Sequence, residues 1–372
     1  MNVIDRKGFI GGAAAFAGTA LAGCASAPKA ARPAEGRFIK AALLHLGSNM
    51  WCDRYTNLKT PVRKPSWNNK VAAPYVRADD LVWHDVTAAA AKEGLNLIVV
   101  DIGEALVFPS HPEIAVKGSW TPEKMRRELD RLRGLGLEPV PKLNFSSTHN
   151  AWMGKYRRIT GSEQYLQIQR ELILDAAEIF GGPRLFHLGW DEETYGHQGG
   201  WGNYEYCVVR RGGKWWNDFL LSVEAVREAG ARAWCFSDQF WYDPDGYRKN
   251  MPKDVVQCPW NCVESKEHPE WISTIAEMGR LGYDVIADIA MFPGKRVTEE
   301  NGSWVYQPID RTKKTETRRM MEYCRRDIPK RQLLGFVACP WVLLQPGVTR
   351  EVYLDSLKYA GEELARFERE SV

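Results

Sequence analysis

A chain of 372 residues, 44 % hydrophobic and 26 % charged, is long enough to bury one large core or two smaller ones. Its 50 basic against 47 acidic residues leave a formal net charge of +3, which removes any general case for a nucleic-acid partner. The basic runs "KMRRELDRLR" and "ETRRMMEYCRR" have helical spacing and read as solvated helix faces.

Residues 1–24 read as an export signal. Arg6 and Lys7 form a basic start, and the Ala/Gly-rich run that follows is too short and too weakly apolar to span a bilayer. "DRKGF" resembles a twin-arginine motif with lysine in the second position. "LAGC" resembles the lipobox of bacterial lipoproteins, in which Cys24 is lipidated and becomes the mature N-terminus. Residues 25–36, rich in Ala and Pro, are expected to be a tether. Residues 37–372 are expected to form the working domain, periplasmic or at the cell surface and lipid-anchored. Of the eight cysteines, the seven other than Cys24 show no metal-ligand spacing and read as buried small hydrophobes, so neither a metal nor a cofactor is expected.

From about residue 38 apolar and amphipathic runs alternate. "FIKAALLHLG" reads as a strand, "DDLVWHDVTAAAAKEG" as a helix and "LNLIVVDIG" as a buried strand. "TPEKMRRELDRLRGLG" is a helix with Thr121 as N-cap and Pro122 at its first position. Strand "LEPVPKLN", helix "EQYLQIQRELILDAAEIF" and strand "RLFHLGW" follow, then helix "WWNDFLLSVEAVREAG" and strands "ARAWCFS" and "DVVQCPW". Helix "EWISTIAEMGRLG", strand "YDVIADIA", helix "KKTETRRMMEYCRRDI", strand "QLLGFVACPW" and helix "REVYLDSLKYAGEELARF" complete the chain. Near-continuous apolar strands alternating with helices mean a parallel sheet covered by helices. No glycine fingerprint follows the first strand, as a doubly wound sheet would want, and eight units fit a (β/α)8 barrel.

A barrel places its chemistry at the C-terminal ends of its strands. Those ends carry His45 and Trp51, Asp101 and Glu104, then Asn144 and His149. The fourth strand ends in Trp190, Asp191 and Glu192, and later strands add Asp238, Trp241, Trp260, Asn261, Asp288 and Trp341. Carboxylates ringed by tryptophans suit glycoside hydrolysis, in which an acid protonates the departing oxygen while indoles hold the sugar ring.

"HLGWDEE" resembles the His-x-Gly-Gly-Asp-Glu signature of glycoside hydrolase family 20, the β-N-acetylhexosaminidases. "HPEIAVKGSWTPEKMRRELDRLRGLGLEPVPKLNFSSTHNAW" resembles that family's third-strand region, and "MPKDVVQCPW" and "GFVACPWVLL" resemble its later strands; the likeness covers about residues 37–366. It implies an exo-acting hydrolase that removes a terminal N-acetylhexosamine from a glycan by a substrate-assisted retaining mechanism. Glu192 would be general acid and then base, and Asp191 would orient the attacking 2-acetamido group. A neighbouring negative charge also helps a catalytic acid keep its proton near neutrality. His149 and His187 match family histidines, and Trp190, Asp238, Trp241, Trp260, Trp341, Asn144 and Glu104 complete the expected substrate contacts.

The sequence departs from the family where Trp190 replaces the second glycine, where Lys142 and Asn144 replace third-strand acids, and where Leu343 replaces the eighth-strand glutamate. Two other readings stay open. One is a retaining glycosidase of different sugar specificity with its own nucleophile, pairing Glu192 with Asp288 or Glu104. The other is a lipid-anchored carbohydrate-binding barrel without catalysis.

Overall fold

The computed structural model describes residues 37–53, 71–200, 204–260, 270–289, 308–312 and 315–370. The expected signal, Cys24 and the tether lie outside these residues, as do Asn261 and most of the loop before residue 315. Among the described residues no helix is long and apolar enough to cross a membrane.

Eight parallel strands close into a barrel in sequence order: β1 Ile39–His45, β2 Leu97–Asp101, β3 Glu138–Lys142, β4 Leu185–His187, β5 Arg232–Phe236, β6 Val256–Cys258, β7 Val285–Asp288 and β8 Leu333–Ala338. Every strand expected from the sequence is present. The expected helices are α1 Asp80–Lys92, α2 Pro122–Gly134, α3 Glu163–Ile179, α4 Gly212–Glu228, α7 Glu270–Leu281, α8 Glu316–Asp327 and α9 Val348–Glu370. Their starts are set by local chemistry. Asp79 accepts the backbone N–H groups of Leu81 and Val82, Thr121 that of Lys124, and Ser162 that of Tyr165. Two short helices, α5 Gln239–Tyr242 and α6 Pro244–Asn250, fill the β5–β6 connection, where the sequence pattern predicts no helix.

Side chains alternate along each strand, so every second residue enters the barrel. Ile39, Ala41, Leu43, Leu97, Val99, Val140, Leu185, Val256 and Ile286 pack there as one core. At the C-terminal ends the same parity brings in polar groups. His45 is paired in register with Asp101, Asp101 with Lys142, and Lys142 with His187. Lys142 Nζ donates to Asp101 Oδ2 at 2.5 Å, and His45 Nδ1 lies 3.1 Å from the same oxygen. Burial alone would push Asp101 up, but Lys142 and His45 hold its carboxyl below the usual range. This buried pair floors the site.

Candidate active site

The chain leaves β4 through a turn that few sequences tolerate. Gly189, Trp190 and Glu192 all have positive φ, at 69°, 65° and 58°, a region that non-glycine residues enter at a cost. Glycine is required first, since a Cβ on Gly189 would lie 2.2 Å from Asn144 Cγ. Side chains then pin the turn. The Gly189 N–H donates to His187 Nδ1 at 3.0 Å, that of Trp190 to Asn144 Oδ1 at 3.0 Å, and that of Glu192 to Asp238 Oδ2 at 2.8 Å. The Thr148 hydroxyl donates to the Glu192 carbonyl at 2.6 Å.

The result is two adjacent acids facing different partners. Asp191 is buried, and its Oδ1 accepts from Asn144 Nδ2 at 2.7 Å. His149 stands between the acids, with Nδ1 3.6 Å from Asp191 Oδ2 and Nε2 3.6 Å from Glu192 Oε2. Burial pushes His149 below the usual imidazole range, against the opposing pull of Asp191. The other Glu192 oxygen, Oε1, lies 3.3 Å from His197 Nε2, and His197 Nδ1 is 2.7 Å from the Thr194 hydroxyl. Burial, helped by His149, pushes His197 down to about 4. His197 is therefore a neutral ring over most of the pH scale, able to give Nε2–H to Glu192 while Nδ1 accepts from Thr194.

Asp238 is buried and accepts from both the Glu192 N–H and Trp260 Nε1–H, the latter at 3.3 Å. Burial and the nearby charge of Asp191 push it up to about 7. Glu192 opens onto a cleft of about 350 Å³ lined by His197, Trp241, Tyr242, Trp260, Glu270 and Trp271. Donor atoms of His149, Asp191 and Glu192 lie within 4.8 Å of one another, so a divalent cation could be held there. The imidazole, however, turns a different nitrogen to each acid, at 3.6 Å in both cases, which does not present one ring nitrogen to a single ion held by both acids.

Several expected contacts take other roles. Trp190 was expected beside the substrate, but its left-handed φ sends the indole into the core. There it packs 5.2 Å from Trp215 and 5.6 Å from Phe219, with the Arg210 guanidinium 4.3 Å above it. His187 is enclosed by Trp234 and Phe236, at 4.6 and 4.7 Å, and burial pushes it well below the imidazole range. Glu104 turns into its loop to accept the N–H groups of Ser48 and Asn49 at 2.8 and 3.1 Å, and burial pushes it up to about 7. Asn144 orients Asp191 and the turn, and Trp341 lies over the barrel, 5.6 Å from His45. Trp241 and Trp260 do line the cleft.

His197, Glu270 and Trp271 join the cleft only through the fold. Glu270 and Trp271 open the helix after β6, and the barrel rule that located the strand ends points to that helix start as well. His197→Gln should lower kcat about ten-fold, as expected of a group that orients the acid. Because the folded His197 pKa is depressed, its stabilising contribution is complete above the unfolded value of about 6.5 and is lost as pH falls through about 4. The variant's Tm should accordingly fall less steeply than wild type between pH 6.5 and 4; parallel Tm curves would contradict this.

No protein-family model matches the chain, and no curated protein matches it in sequence. Solved structures do match. The family-20 β-N-acetylhexosaminidase of Streptomyces coelicolor A3(2) superposes with a TM-score of 0.56 at 12 % identity, over 87 % of this chain and 64 % of that one. The fold is family-20-like. The β-N-acetylhexosaminidase of Bacteroides fragilis also gives 0.56 at 12 % identity, over 90 % and 71 % of the two chains. The exo-β-N-acetylglucosaminidase of Vibrio harveyi, in complex with N-acetylglucosamine, gives 0.54 at 11 % identity, over 90 % and 58 %. This chain thus spans about two thirds of the length of the solved structures it matches.

Proposed function

We propose that this protein is a glycoside hydrolase that removes a terminal N-acetylhexosamine from a glycan outside the cytoplasm, by substrate-assisted retaining catalysis. The observation that carries the reading is the Asp191–Glu192 pair at the end of β4, its acids aimed at different partners by a turn that Asn144, Thr148 and Asp238 hold. Glu192, half-buried at the cleft, is placed to protonate the departing oxygen and later to activate water. Asp191, oriented by Asn144, is placed to stabilise the acetamido nitrogen as its oxygen attacks the anomeric carbon. The solved neighbours, hexosaminidases by name, support the same chemistry.

The reading with an enzymic nucleophile is weaker. Burial pushes Asp288 well above the carboxylate range and Glu104 up to about 7, and the Glu104 carboxylate is already turned into its loop by the Ser48 and Asn49 N–H groups. A nucleophile must be ionised and face the anomeric carbon.

Aryl 2-acetamido-2-deoxy-glucosides and galactosides test the proposal against the matching aryl glucosides and galactosides. Turnover should be confined to the acetamido sugars, and a thiazoline that mimics the oxazoline intermediate should inhibit strongly. No turnover of any hexosaminide would leave the carbohydrate-binding reading in its place.

A further inference from the structure

The cleft that Glu192 faces has a composition of its own. Trp241 stands at its centre, its ring centroid 5.0 Å from Trp260, 5.7 Å from Trp271 and 6.3 Å from Tyr242. Two of these indole N–H groups are already engaged within the protein. Trp241 donates to Thr274 Oγ1 at 2.9 Å and Trp260 to Asp238. What Trp241 and Trp260 offer a ligand is therefore ring surface. Among the described residues, Glu192 and Glu270 supply the carboxylates of the lining. Arg211, which acts on the Tyr242 hydroxyl, is exposed.

Indole faces attract a cation through their quadrupole, and a carboxylate at the rim adds to that attraction. A neutral sugar needs the rings but not a second acid. The position of the cleft says which part of a glycan would enter it. Asp191 points away, towards Asn144 and His149, whereas Glu192 lines the cleft. A general acid gives its proton to the departing oxygen, so the space before it receives the leaving group. A volume of about 350 Å³ lies at the small end of ligand pockets, roughly 300–1,000 Å³.

We infer that this cleft is a leaving-group site for a sugar carrying a protonated amine, a 2-amino-2-deoxyhexose unit held between the Trp241–Trp260–Trp271 rings and the Glu270 carboxylate. The inference rests on the glycosidase reading for its orientation, but not for its ligand. A glycan of mixed acetylation, with an N-acetylated residue at its end and a free-amine residue next to it, would then be the preferred substrate.

Binding of glucosamine and of glucose to the wild-type protein at pH 6, followed by tryptophan fluorescence and calorimetry, tests it without any turnover. Glucosamine should bind about ten-fold or more tightly than glucose. Glu270→Gln should erase most of that preference, and Glu270→Lys should reverse it. Equal binding of the two sugars, binding of neither, or a preference that survives both substitutions would overturn the inference. The two proposals fail separately. A protein selective for glucosamine that hydrolyses no hexosaminide loses the enzymatic reading and the leaving-group orientation but keeps the amine site, and one that hydrolyses them without selectivity loses only the amine site.

Discussion

Glu192→Gln should hydrolyse aryl N-acetylhexosaminides roughly 10²–10⁴-fold more slowly than wild type, the range a positioned general acid supplies. The substitution is nearly isosteric and keeps what the backbone does. The residue 192 N–H still reaches Asp238, and its carbonyl still accepts from Thr148. Glu192 lies 3.3 and 3.6 Å from the rings of His197 and His149, neighbours that an amide can also face. Tm should hold within about 2 °C, since surface-facing substitutions of this kind change stability by about 0.5 kcal/mol or less. The kinetic signature is specific. Loss should shrink as the aryl leaving group becomes more acidic, because a good leaving group needs little protonation.

Asp191→Asn should behave differently. The amide can still accept from Asn144 but cannot offset positive charge on an acetamido group. Its loss should persist with activated leaving groups and should be matched by weaker thiazoline binding. If Glu192→Gln costs less than ten-fold on an unactivated substrate, Glu192 is not the acid.

Much of this architecture is legible in the sequence because parallel-barrel strands are buried on both sides and read as unbroken apolar runs. The Thr121–Pro122 start of α2 is equally local and is found where its cap chemistry put it. The β5–β6 connection is not legible in this way. "FSDQFWYDPDGYRKN" holds two helices of four and seven residues, too short to show a helical period, and its Pro and Gly mimic a loop.

The position of the Asp191–Glu192 pair at a strand end is legible in the sequence, but the direction of its neighbours is not. Trp190 stands between Gly189 and Asp191 in sequence, yet a φ of 65° turns it into the core, and no composition rule foretells that. His187 and Lys142 were readable. Counting by twos from Leu185 and Val140 puts both inside the barrel, away from an open cleft. Glu104 shows the limit from the other side, because only the folded loop reveals that two backbone N–H groups claim its carboxylate.

Arg210→Met should destabilise the protein by about 3–5 kcal/mol, the usual result of removing one partner from a buried ion pair. Arg210 is buried, and its guanidinium makes four polar contacts to three residues. Its Nε and Nη2 reach Glu193 Oε1 and Oε2 at 2.9 and 2.7 Å, Nη2 also donates to the Phe145 carbonyl, and Nη1 lies 3.3 Å from Asp218. Burial alone would lower its proton affinity, yet Glu193 holds the guanidinium above its ordinary range. Methionine restores most of the volume over Trp190 but strands the Glu193 charge, which keeps only the N–H groups of Ser147 and residue 210.

Chemical denaturation measures the loss, and Glu193→Gln in the Arg210→Met background should recover a large part of it, because the stranded charge is then gone. A single-variant loss below about 1 kcal/mol would mean that the pair is not what holds this region. The pair's location explains why a costly buried charge is kept here. Trp190 and Glu192 both occupy left-handed backbone, at about 1–3 kcal/mol each, and such strain persists only where the surroundings over-determine it. Arg210 covers one side of that turn from above Trp190, and through Glu193 it fixes the Ser147 backbone, two residues from His149. Kcat should therefore fall with stability in Arg210→Met, and a variant that unfolds more easily but keeps full kcat would separate the clamp from the site it is argued to hold.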